Sequence, residues 1–132
     1  MKDLVGELLV GLDLGVESVK LAILNDRHQV VKKDLEPVKG QLLQALNNLI
    51  YRNFSQASDD GLFVAVTGAG QNSFIFPENV IKVNEISALA YGSSLIFPRA
   101  RSVFDIGAES ARWVEIKPGS SQEPFPEIID FS

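Results

Sequence analysis

Apolar and polar residues alternate through the first part of the chain, and the period then changes. Leu8 to Leu14 is an apolar run that contains Gly11 and Asp13. Glu17 to Leu24 follows a turn centred on Gly15 and sets Val19, Leu21 and Ile23 against Ser18, Lys20 and Ala22. Asn25-Asp26 is a turn signal before a third run, Arg27 to Lys33, centred on Val30 and Val31. Such short connections predict an antiparallel meander. Leu42, Leu46, Leu49 and Ile50 then recur at helical spacing, with Ala45 beside them and Gln44, Asn47, Asn48 and Arg52 off the stripe. Pro37 and Gly40 bound the start of this amphipathic helix, whose stripe reads as core packing against the sheet. Ser55 to Gly61 is a polar loop, and Asp59-Asp60 within it reads as loop. Leu62 to Val66 is a valine-rich buried strand ending in Thr67-Gly68-Ala69-Gly70, and Asn79 to Val83 is a shorter strand.

Asn84 has the chemistry of a helix N-cap, ahead of Ile86, Leu89 and Ala90, with the helix running to about Ile96 and stopped by Pro98. Ser102 to Ile106 and Ala111 to Ile116 form a second hairpin. Lys117 to Pro126 is a proline-rich loop, and Pro126 to Phe131 is a last strand. The order βββ-α-β-turn-β-α, followed by a new hairpin, predicts a mixed α/β fold with one lobe over residues 1–98 and the start of a similar lobe over 99–132.

Composition narrows the chemistry. The chain has 132 residues, a formal net charge of −5, no cysteine and one histidine. It therefore holds no disulfide scaffold, thiolate zinc site, iron–sulfur ligand set or cysteine nucleophile. The single histidine, His28, excludes a multi-histidine metal centre and reads as a surface residue of the short third strand. The acidic balance argues against nucleic acid as a partner. No stretch approaches the roughly 18 uninterrupted apolar residues of a membrane span. An acidic residue stands where a signal peptide needs basic ones, so a cytoplasmic location is expected.

One internal echo bears on function. Val10-Gly11-Leu12-Asp13-Leu14-Gly15 resembles Ser102-Val103-Phe104-Asp105-Ile106-Gly107. Each is a strand ending in Asp-aliphatic-Gly, and each turns into a second strand, whose basic residues are Lys20 and Arg112. A repeat of this kind points to a duplicated unit. Glycine lets backbone N–H groups approach a phosphate closely. An aspartate at a strand end can hold magnesium, commonly through water. Two such hairpins facing each other would clamp a triphosphate and its metal from both sides.

On these residues the chain resembles the superfamily of sugar kinases, heat-shock chaperones and actin, whose lobes are ribonuclease-H-like. More narrowly it is similar to the ATPase activators of 2-hydroxyacyl-CoA dehydratases and benzoyl-CoA reductases. Their Asp-Ile-Gly-Ser-Thr-Thr-Thr-Lys is matched by Asp13-Leu14-Gly15-Val16-Glu17-Ser18-Val19-Lys20, and their Val-Thr-Gly-x-Gly by Val66-Thr67-Gly68-Ala69-Gly70. Their Glu-Ile-Thr/Ser-Ala is matched by Glu85-Ile86-Ser87-Ala88. Their Val-Ile-Asp-Ile-Gly-Gly-Gln-Asp-Ser-Lys is matched by Val103-Phe104-Asp105-Ile106-Gly107-Ala108-Glu109-Ser110-Ala111-Arg112. All four motifs come in family order.

The resemblance implies ATP and Mg2+ as cofactors, with Asp13 and Asp105 as the magnesium-side carboxylates. It implies Gly15, Ser18 and Lys20 in the first phosphate loop and Gly107 and Ala108 in the second. Thr67, Gly68 and Gly70 would line the cleft, and Glu85 would position the attacking water. In the family, ATP hydrolysis drives a homodimeric clamp that passes an electron from a bridging [4Fe–4S] cluster to the dehydratase or reductase component. The cluster's cysteines are absent here. The chain ends in Ile128-Ile129-Asp130-Phe131-Ser132, just before their place in the family, so it reads as truncated, with the remainder of its own chain as a partner and the 132 residues alone inactive.

Departures from the motifs bear on activity. Val16 and Glu17 replace hydroxyl residues, and Glu17 brings negative charge toward a triphosphate. Ala108 stands where a glycine could adopt positive φ. These changes predict nucleotide binding that is weak, altered or lost. Read without the resemblance, Glu85 complements a helix N-terminus, Glu17 is a solvated turn residue, Trp113 is a core or lobe-contact residue, and Lys20 and Arg112 lie on exposed sheet edges. Two other functions stay open. One is a sugar or N-acetylhexosamine kinase, against which the absence of a carboxylate in Thr67–Asn72 counts. The other is a non-enzymatic scaffold with the same fold, self-associating through unpaired strand edges.

Overall fold

The computed structural model describes residues 7–55 and 61–132, so Asp59-Asp60, most of the loop around them and the N-terminal six residues lie outside the described residues. The described chain divides into two compact units, Met1–Lys82 and Val83–Ser132.

The first unit is a five-stranded mixed sheet. β1 (Leu8–Leu14), β2 (Ser18–Leu24) and β3 (Val30–Pro37) form the expected antiparallel meander. The chain then crosses through α1 (Leu42–Phe54) to β4 (Leu62–Thr67), which pairs parallel with β1, and β5 (Val80–Lys82) pairs parallel with β4. The spatial order is β3-β2-β1-β4-β5, as expected of a ribonuclease-H-like lobe. The period-two alternation explains the core. Val10, Leu12 and Leu14 of β1 and Val19, Leu21 and Ile23 of β2 are buried together with Ala45, Leu46 and Leu49 of α1 and Val66 of β4. Leu49 is fully buried, a placement worth about 1.5–3 kcal/mol for one leucine side chain. Ile50, at the edge of the stripe, stays partly exposed.

The third strand begins later than its apolar pattern indicates and runs further. The Asn25 Oδ1 accepts hydrogen bonds from the backbone N–H of Arg27 (3.0 Å) and Gln29 (2.9 Å), and His28 takes φ 58°. Arg27–Gln29 are therefore turn, and exposed His28 belongs to that turn rather than to a strand. At its far end β3 continues to Pro37 because Asp34 and Glu36 are engaged by α1. The Arg52 guanidinium donates to Asp34 Oδ2 and to Glu36 Oε2, both at 2.8 Å, and Asn53 Nδ2 donates to Asp34 Oδ2 at 2.8 Å. These side chains tie the helix to an edge strand.

β4 ends against β1 through one glycine. Gly68 has φ 92°, and a Cβ there would lie 2.5 Å from Asp13 Oδ1, 2.6 Å from the Leu14 carbonyl oxygen and 2.7 Å from the Leu14 amide nitrogen. Only glycine lets the backbone pass so close to that carboxylate. A 3-10 turn, Ala69–Ser73, follows where the sequence reading has only a turn.

The second unit packs α2 (Glu85–Ile96) on a three-stranded antiparallel sheet of β6 (Ser102–Ile106), β7 (Ala111–Lys117) and β8 (Glu127–Phe131), in that spatial order. Asn84 is the N-cap, its Oδ1 accepting from Ile86 N–H at 2.8 Å and Ser87 N–H at 3.3 Å. Ala90, Val114 and Ile116 are buried, with Ile86, Leu89, Val103 and Ile128 around them. The contacts of Ala90 group α2 with this second sheet, whereas the sequence division falls after that helix. Among the described residues no helix is long and apolar enough to cross a membrane.

Two outcomes follow from this packing. The Arg52 guanidinium, and after it the Asn53 amide, hold the Asp34 carboxyl well below the usual aspartate range. A depressed carboxyl contributes stability that is present above its unfolded pKa and is lost as pH falls through the folded one. Urea midpoints of the wild-type protein should therefore fall as pH drops below about 4, and Arg52→Met should lower the neutral-pH midpoint and flatten that slope. An unchanged slope would contradict the role given to Arg52. Gly68→Ala should cost about 1–3 kcal/mol, from the strained φ and the overlap with Leu14; a wild-type denaturation midpoint would contradict the close approach.

Candidate functional site

The two Asp-x-Gly segments fold as the same device. In the first, Gly15 N–H donates to the Ser18 carbonyl oxygen at 3.1 Å, and in the second Gly107 N–H donates to the Ser110 carbonyl oxygen at 2.8 Å. Each turn delivers a basic residue directly across the ladder from the aspartate. Asp13 is in register with Lys20, and Asp105 with Arg112. The side chains meet, Lys20 Nζ lying 3.5 Å from Asp13 Oδ2 and Arg112 Nη1 lying 3.6 Å from Asp105 Oδ2. The glycines are not equally constrained. A Cβ on Gly15 would lie 2.8 Å from the Ser18 carbonyl oxygen, whereas one on Gly107 would make an ordinary 3.5 Å contact with that of Ser110.

Around Asp13 the first unit gathers six other expected site residues. Gly15 and Ser18 form the turn, and Lys20 pairs with the carboxylate. Thr67 is in register with Asp13 on the parallel neighbour β4, and Gly68 covers Asp13 Oδ1. Gly70 lies close to Leu14, since a Cβ there would fall 2.9 Å from the Leu14 carbonyl oxygen. The Asp13 side chain is 40% exposed, so a ligand can reach it.

In the second unit Asp105 is 51% exposed. Ala108 is not among the described non-glycine residues with positive φ, which are His28 and Lys39. The alanine therefore does not strain this backbone, and that expected penalty is absent. Glu85 is the first residue of α2 and carries a negative charge where the helix dipole favours one. It also makes a contact that the sequence reading missed. Arg112 Nη2 lies 2.8 Å from Glu85 Oε1, so one guanidinium joins Glu85 to Asp105.

Lys20 and Arg112 do not lie on sheet edges. β2 is flanked by β3 and β1, and β7 is central in its sheet. Their alternation with apolar neighbours gives the face, but only the strand order shows that each is aimed at a carboxylate. The Glu85 contact depends on how α2 packs on β7, which no local pattern encodes.

The donor set fits a hydrated magnesium ion with its polyphosphate better than a metal held by protein alone. Among the described residues no group of three or more Asp, Glu or His converges. Magnesium keeps water and takes one or two carboxylates together with phosphate oxygens, and a lone accessible aspartate on each hairpin suits that. The Thr67 Oγ1 is buried and has no hydrogen-bond partner, an unmet donor and acceptor next to the strand position of Asp13. A [4Fe–4S] cluster is not served, since no cysteine occurs in these residues.

No family model matches the chain. A curated relative, the (R)-2-hydroxyglutaryl-CoA dehydratase activating ATPase of Acidaminococcus fermentans, is 28% identical over 115 residues, covering 84% of this chain and 43% of that protein. The crystal structure of the A. fermentans (R)-2-hydroxyglutaryl-CoA dehydratase component A superposes with TM-score 0.72 at 22% identity, over 96% of this chain and 46% of that one. The activator of the 2-hydroxyisocaproyl-CoA dehydratase from Clostridium difficile, solved with bound ADPNP, gives 0.67 at 20% identity over 95% and 45%. A Ppx/GppA phosphatase from Aquifex aeolicus gives 0.57 at 12% identity, over 96% and 51%. The chain thus spans about half the length of the proteins it matches or somewhat less. Over most of its own length it is similar to the activating ATPases of 2-hydroxyacyl-CoA dehydratases, and its fold is the mixed α/β fold of the actin-like ATPases.

Proposed function

We propose that these residues supply the two phosphate loops of an ATP-binding activator that serves an acyl-CoA dehydratase or reductase. The observation that carries the reading is the repeated hairpin. Twice the chain builds a strand-end aspartate, a glycine N–H closing the same turn, and a cation across the ladder. The similarity to dehydratase activators supports the choice among ATP-binding functions.

In this reading Asp13 and Asp105 are the carboxylates that would face a hydrated magnesium ion, each at the end of its own hairpin strand. Backbone N–H groups of the turns that Gly15, Ser18, Gly107 and Ala108 build, other than the two glycine N–H groups that close them, would face the phosphates, and Lys20 adds a positive charge beside the first loop. Thr67, Gly68 and Gly70 form the wall next to Asp13, where the unpaired Thr67 hydroxyl gains a partner. Magnesium, when bound, offsets phosphate charge as it develops. Glu85 orients the water that attacks the terminal phosphate once its carboxylate is free of Arg112. Hydrolysis in a homodimer would then be coupled to electron delivery to the dehydratase component. No electron carrier is available among these residues, so no step of that delivery is assigned to them.

The kinase alternative gains nothing, because the segment after β4 carries no carboxylate to serve as base. Calorimetry of Mg-ATP with the full-length protein tests the proposal. The wild type should bind with measurable heat, and Asp13→Ala should abolish it. Absence of binding by the wild type would contradict the reading and leave the hairpins as relics on a scaffold.

A further inference from the structure

Arg112 does something that its counterpart Lys20 does not. Both stand across the ladder from the aspartate of their own hairpin. Lys20 reaches Asp13 alone among the described residues. The Arg112 fork reaches two carboxylates on two elements, Glu85 of α2 at 2.8 Å and Asp105 of β6 at 3.6 Å. The shorter arm is a close ion-pair contact. The three side chains are only partly exposed, Arg112 at 25%, Glu85 at 32% and Asp105 at 51%. Together they carry two negative charges and one positive.

The geometry points to Arg112 as a tethered counter-cation of the second loop. It pairs with Asp105 and Glu85 and would compete with a divalent cation approaching Asp105. This rests on the proposed reading of Asp105 as a magnesium-side carboxylate and deepens it. Release of Arg112 from Asp105 would leave that carboxylate open to a divalent cation, and its release from Glu85 would free the second carboxylate as well. A lysine in this position would keep the charge but not the fork, and the second hairpin would then match the first.

The test is the magnesium dependence of ATP binding by the full-length wild-type, Arg112→Lys and Arg112→Gln proteins, read by calorimetry at fixed ATP. The half-saturating magnesium concentration should fall roughly fivefold in Arg112→Lys, the upper end for a partly exposed ion pair, and at least as far in Arg112→Gln. ATP binding without magnesium should be unchanged in Arg112→Lys, which a general loss of structure would not allow. Binding by all three proteins with an unchanged or higher magnesium midpoint overturns the role of Arg112 and leaves the ATP reading intact. Failure of all three to bind ATP at any magnesium concentration overturns both. Binding by the variants alone contradicts the ATP reading for the wild-type protein, and the role of Arg112 falls with it.

Discussion

The organisation of the first unit depends on the two-residue period of β1. Leu12 and Leu14 must be buried against β2 and α1, so Asp13 between them is turned to the opposite face at the strand's end. There it meets Lys20 on one neighbouring strand and Thr67 on the other. No extra device is needed to present the carboxylate, because the hydrophobic requirement that fixes the strand also fixes the charge. A shift of one residue in register would bury Asp13 and expose both leucines, so the core and the site specify each other. Gly68 completes the arrangement by letting the end of β4 close over one oxygen of the carboxylate.

The second unit repeats the hairpin with different surroundings. Phe104 and Ile106 correspond to Leu12 and Leu14 but are exposed. The buried side chains of this sheet, Val114 and Ile116, pack with Val103 on α2 instead. Val103 and Asp105 share a face, which places Asp105 and Arg112 on the side of α2 and within reach of Glu85. One sequence motif therefore gives an aspartate with a single cationic neighbour in the first unit and an aspartate in a three-membered charged cluster in the second. The difference arises from which face of each sheet carries the helix.

Much of this was legible in the chain. Apolar runs mark β1 and β6 and alternation marks β2, each within a residue, and the helical stripe marks α1, because apolar burial dominates all of them. The Asn84 cap and the Asp-x-Gly echo are local chemistry and were readable for that reason. The third strand was misplaced because the Asn25 side chain holds a longer turn than the dipeptide signals, and because Arg52, far along the chain, extends the strand at its other end. The inner-strand positions of Lys20 and Arg112 needed the strand order, and the Glu85–Arg112 contact needed helix-on-sheet packing. In the candidate site the residue types were visible in sequence, and the pairings among them were not.

In the proposed reading each hairpin is a copy of the same polyphosphate-binding device. Amide NMR of the full-length protein, titrated with magnesium and a non-hydrolysable ATP analogue, tests it most directly. The Gly15 and Gly107 amide resonances should both move, and Asp13→Ala should suppress the movement of Gly15. Resonances that stay fixed, or a shift confined to one hairpin, would contradict it.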